Sequence, residues 1–131
     1  MTVTLIRAPQ LASAPYAHAA TMPVDARLLF LAGACPLNAE GTVVPGGIAA
    51  QTAQALDNLE AALLAASATL TDVVATRVLV ASTDRRYLVE AWNVVRERFG
   101  AHDVPSTLVG VTVLGYPGQL IEIEATAGVI D

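Results

Sequence analysis

From Leu120 to Val129 the chain changes character at every second residue, with Leu120, Glu122, Glu124 and Thr126 in one set and Ile121, Ile123 and Ala125 in the other. An extended strand has a side-chain period of two, so these sets face opposite sides of a sheet. The apolar set requires a packed layer against it. The fold is therefore layered, and a one-residue slip in this strand would exchange its faces.

Other segments supply the partners. Leu28-Leu29-Phe30-Leu31-Ala32, closed by Gly33, has the length and continuous apolarity of a strand buried on both faces, and is expected at the centre of the sheet. Residues 36–47 are rich in turn formers and read as a loop or irregular hairpin. Ile48, Thr52, Leu56, Leu59 and Leu63 then recur at three- and four-residue steps, predicting a helix to about Ala66, with Gln51, Gln54, Asp57, Asn58 and Glu60 on its other faces. Val73 to Val80 predicts a strand. Ser82-Thr83-Asp84 offers a cap for a second helix, whose buried stripe is Leu88, Ala91, Trp92, Val95 and Phe99 and whose end is Gly100. Strands over Ser106–Val113 and Leu120–Val129 flank a Gly115-Tyr116-Pro117-Gly118 turn, and short strands are expected near Val3–Leu5 and Ala17–Thr21. The order β-β-β-α-β-α-β-β predicts an α+β fold with both helices on one face of a single mixed sheet.

The chain has 131 residues, within the range of one domain, so a single domain over residues 1–131 is expected. Apolar residues reach 54% and charged residues only 15%, which favours burial of surface against further copies. No apolar run has the roughly 18 residues of a membrane span, and no secretory signal opens the chain, so no membrane partner and a cytoplasmic location are expected. The net charge is −5 and all seven basic residues are arginine, so a lysine Schiff base is excluded and a nucleic-acid partner is disfavoured. Arg85, Arg86, Arg96 and Arg98 read as a solvated helix face. Cys35 is the only cysteine, excluding an internal disulfide, and is read as a buried small hydrophobe. His18 and His102 lack a third ligand, so no metal is expected. Ser106 lies in no nucleophile elbow.

Three segments, Ala14-Pro15-Tyr16-Ala17-His18-Ala19, Leu31-Ala32-Gly33-Ala34-Cys35-Pro36-Leu37 and Ile121-Glu122-Ile123-Glu124-Ala125-Thr126-Ala127, together resemble the Rid (reactive-intermediate deaminase) family, also called YjgF-like or L-PSP endoribonuclease-like. Gln51 to Leu59 fits as well, and the resemblance spans nearly the whole chain. It implies a chorismate-mutase-like α+β fold of the bacillus type, a homotrimer whose sheets form a central barrel, and clefts between subunits. It further implies cofactor-free hydrolysis of small imine or enamine metabolites, with no cofactor to be held.

The resemblance assigns Glu122 the water-positioning role, and a carboxylate within about 3 Å of a water is a sensible proton acceptor. Glu122 and Glu124, about 7 Å apart on one strand face, also match the carboxyl separation of inverting glycosidases, but no sugar-stacking aromatic cleft accompanies them. Tyr16 belongs to a pocket loop in this resemblance, either contacting ligand or standing as a half-buried tyrosine. Gly33 admits either a ligand near its backbone or close strand packing. Aligning Ser106-Thr107 with the family segment puts Pro105 where the resemblance calls for a substrate-binding arginine. Ala32 stands where serine is common, and Trp92 near a common asparagine, either in the pocket or in the core. These departures imply a non-standard substrate, less charged or aromatic. A ligand-binding trimer without catalysis is the alternative, and a ribonuclease reading conflicts with the acidic, lysine-free composition.

Overall fold

A computed structural model describes residues 2–131. The strands are β1 (Thr4–Ile6), β2 (Ala19–Thr21), β3 (Arg27–Phe30), β4 (Val73–Val80), β5 (Ser106–Gly110) and β6 (Ile121–Val129), with helices α1 (Gly47–Ala65) and α2 (Arg85–Phe99). The element order matches the one expected from periodicity. A four-stranded mixed sheet runs β3-β6-β4-β5, and β1 and β2 form a separate antiparallel ribbon. β4 and β5 are parallel, joined through α2, whereas β6 is antiparallel to both β3 and β4.

The alternation in β6 is realised from Ile121 to Ala127. Ile121, Ile123, Ala125 and Ala127 are buried, while Glu122, Glu124 and Thr126 are partly exposed on the opposite face. The buried set meets Val78 and Val80 of β4 and the Ala55, Leu56, Leu59 and Leu63 stripe of α1 in one apolar cluster, to which α2 adds Ala91, Val95 and Phe99. Asp84 caps α2, its carboxylate accepting from the Arg86 amide at 2.9 Å. Gly100 ends α2 at φ 57°, a conformation that favours glycine. Arg98 does not lie free on a solvated face. It bridges to Asp57 and Glu60 of α1 at 2.9 and 2.7 Å, tying the two helices together.

The placement of β3 corrects the expectation of a central strand buried on both faces. β3 is an edge strand, and Phe30 is 82% and Leu28 50% exposed. Their face is that of Thr126, because Phe30 pairs with Thr126 and Leu28 with Gly128. Continuous apolarity here reflects helices covering one side and an apolar surface left open on the other. β5 also stops at Gly110 rather than Val113, with the Gly110 backbone tight against Ser82: a Cβ there would sit 2.5 Å from the Ser82 carbonyl oxygen. No helix among the described residues is long and apolar enough to cross a membrane.

Leu59 is 1% exposed between α1 and the sheet. Leu59→Ala should cost about 2–5 kcal/mol, read as a lower urea midpoint with an unchanged slope, because the cavity it leaves cannot be filled by rigid neighbours.

Candidate functional site

β3 and β6 part company just beyond Phe30. Phe30 pairs with Thr126, but the next bridge joins Ala34 to Ile123, so four residues advance on one side against three on the other. The extra residue is a bulge, and it carries Ala32 and Gly33 out of the ladder beside Glu122. A Cβ at Gly33 would collide with Glu122 Oε2, so glycine is required for the carboxylate to lie over the backbone. The group closest to this glycine is a side chain, the Glu122 carboxylate.

Two donors hold the other carboxylate oxygen. Cys35 Sγ–H donates to Glu122 Oε1 at 3.2 Å, and Gln119 Nε2–H donates to the same atom at 3.2 Å. Cys35 is therefore a partly buried partner of the acid and not the inert buried hydrophobe expected from its type. Burial first, then the hydrogen bond and charge of Glu122, push its thiol up to about 11, with Gln119 opposing. Helix α1 fixes both donor segments. Asn58 Nδ2 donates to the Cys35 and Leu37 carbonyls at 2.8 Å each, and Gln51 grips Gly118 O and the Leu120 amide at 3.0 and 2.8 Å. Gln51, at 4% exposure, and Asn58 lie seven residues apart, hence on one side of α1 beside Thr52 and Leu59. That spacing was the available signal for their inward role.

The remaining candidates gather elsewhere. Tyr16, His18, Arg77, Pro105, Ser106 and Thr107 border a cavity of about 370 Å³. Next to it, Tyr16, Trp92, Ser106 and Leu108 border another of about 250 Å³. Tyr16 meets the Trp92 ring edge-on at 6.3 Å, so Trp92 lines a cavity while its inner side packs on the core. Ser106 points to the helix side and bonds Thr76 at 2.8 Å. Arg77 occupies the open face, paired with Thr107 and Glu124 across the ladders and 3.3 Å from the Glu124 carboxylate. It was not foreseen, because its nearness to Pro105 arises from strand pairing and not from sequence.

One chain does not bring the two groups together. Leu79 of β4 pairs with both Glu122 and Val109, and Pro105 lies four residues before Val109. Glu122 and Pro105 are thus separated by about 13 Å along the strands. Ala32 and Gly33 thus lie beside Glu122, whereas Tyr16, Trp92, Pro105, Ser106 and Thr107 gather around the start of β5, with Ser106 on the helix side and Thr107 on the open face.

Residues 6–129 match the family model described as Endoribonuclease L-PSP. The yeast (Saccharomyces cerevisiae) Protein HMF1 is 30% identical over 127 residues, covering 97% of this chain and 94% of that protein. A RutC family protein, PH0854 of Pyrococcus horikoshii, is 39% identical over 101 residues, 76% and 77% of the two chains. The crystal structure of the Rid-family protein YyfB of Yersinia pestis superposes with a TM-score of 0.87 at 33% identity, covering 98% of this chain and all of that one.

The thiol gives a direct check. Alkylation of Cys35 by iodoacetamide should rise with a midpoint near pH 11 in the folded protein, and near the ordinary thiol value once the chain is unfolded in urea. Because the folded value is the higher one, this preference stabilises the fold below the ordinary thiol value and is lost as pH rises through about 11.

Proposed function

Because the chain belongs to the endoribonuclease L-PSP family, with Rid and YjgF-type relatives, we propose that it hydrolyses the carbon–nitrogen bond of a small imine, enamine or related metabolite. The reaction takes place in clefts between subunits of a homotrimer and needs no cofactor. The observation that carries this reading is the state of Glu122: a half-exposed carboxylate with one oxygen bound by two donors and the other lying over Gly33.

Glu122 is the catalytic residue. As water attacks the imine carbon, the C=N electron pair moves to nitrogen and Glu122 accepts a water proton, which it passes to that nitrogen. The resulting carbinolamine loses its hydroxyl proton by the same route as the carbon–nitrogen bond breaks. A carbonyl compound and an amine, or ammonia, leave, and the carboxylate is regenerated. Tyr16, Trp92, Pro105, Ser106 and Thr107 of one subunit bind the substrate against Ala32, Gly33 and Glu122 of the next, so that groups lying apart within one chain meet across the interface. Proline at 105 supplies no cation, and the Tyr16–Trp92 pair supplies aromatic surface, so the substrate is less charged or aromatic. Assembly covers the open face on which Phe30 and Leu28 stand exposed. RNA cleavage is not part of this reading, since five of the seven arginines, Arg7, Arg27, Arg77, Arg86 and Arg98, already face carboxylates.

Light scattering should give three times the 13.5 kDa chain mass, and a monomer at micromolar concentration would remove the interfacial site. N-benzylidenemethylamine, a neutral aryl imine, and 2-iminopropanoate, generated in situ by an amino-acid oxidase, serve as probes. The native protein should accelerate hydrolysis of the neutral probe, with Glu122→Gln lowering kcat by about 10²–10⁴-fold. Pro105→Arg should improve use of the anionic probe by roughly ten- to a hundredfold. A native trimer that accelerates neither probe would point to binding without catalysis.

A further inference from the structure

We propose that Cys35 and Gln119 are positioning residues that hold Glu122 Oε1 and thereby assign the water-contacting role to Oε2. This rests on the hydrolytic reading for its catalytic meaning, but its geometry stands apart from it.

Each member of the cradle is itself constrained. Gln119, 4% exposed, uses its amide in three directions: Nε2 donates to Ile121 O at 2.9 Å and to Glu122 Oε1 at 3.2 Å, while Oε1 accepts from the Tyr116 amide at 3.0 Å. These partners leave no second orientation for the amide, because exchanging its O and N would oppose like poles at all three contacts. Cys35 is held through its own carbonyl by Asn58, and its Sγ also lies 3.5 Å from the Gly33 carbonyl. The thiol therefore has two acceptors in reach, of which the carboxylate is nearer and charged. No donor among the described residues reaches Glu122 Oε2, which faces the glycine.

A carboxylate with both oxygens free would rotate and share its negative charge between two water positions. Two donors on one oxygen remove that freedom and keep the other oxygen as the acceptor for the attacking water's proton. The thiol stays protonated in this role: it is a neutral donor to the base and never the nucleophile. Preorganisation of this kind acts on the chemical step more than on substrate binding.

Because Cys35 is the only thiol in the chain, its S–H stretching band in the Raman spectrum reports the contact without ambiguity. The band should move to higher frequency in Glu122→Gln, where a neutral amide replaces the charged acceptor. A band unmoved by that substitution would overturn the proposal. Kinetics on N-benzylidenemethylamine then test the positioning role. Cys35→Ala and Gln119→Leu should each lower kcat about tenfold with KM little changed, and Cys35→Ser, which restores a donor, should recover most of the loss. Native kcat in Cys35→Ala, or equal loss in the alanine and serine variants, would refute positioning. A native protein inert toward the probe would count against hydrolysis alone, and the Raman shift would still decide whether the cradle exists.

Discussion

Everything distinctive about this chain depends on the sheet being covered on one side only. Two helices bury Ile121, Ile123, Ala125 and Ala127 of the central strand, and the pleat then forces Glu122 and Glu124 to the other side. Burying an unpaired carboxylate under a helix would cost several kcal/mol, so the register that hides the isoleucines is also the one that displays the acids. The same geometry exposes Phe30 and Leu28, and the open face therefore carries both the acids and a stretch of apolar surface.

Helix α1 acts on that face from behind the sheet. Gln51 and Asn58 reach past the ends of the strands and fix the two segments, around Gly118–Leu120 and Cys35–Leu37, from which the donors to Glu122 arise. A core helix thus holds in place the two segments that carry the donors to this carboxylate. The bulge between β3 and β6 completes the arrangement by bringing Gly33 beneath the acid.

The elements themselves were legible because period two and period 3.6 are imposed by backbone geometry, so β6, α1 and α2 emerge from spacing alone. Glu122 and Gly33 were reached through the resemblance of their segments, and the structure supplies the contact that joins them. The position of β3 was not legible: a doubly apolar run looks the same whether its second face meets a helix or another copy. Cys35 was misread for a related reason. A lone thiol in sequence carries no mark of an acid 87 residues away, and only the fold brings them to 3.2 Å. Gln51 and Asn58 look like solvent-facing residues until their seven-residue spacing is set beside the buried stripe.

The strand order also bears on how the molecule reaches its folded state. β6 lies between β3 and β4, although it follows both in sequence, so neither of those strands has its antiparallel neighbour until residues 121–129 arrive. The β4–α2–β5 unit, by contrast, is continuous in sequence and meets its own partners locally. Closing the sheet demands contacts across most of the chain, and such high contact order slows folding. Before that closure, β3 and β4 present unpaired edges to other chains, which makes the partly synthesised or partly unfolded protein the species most exposed to aggregation.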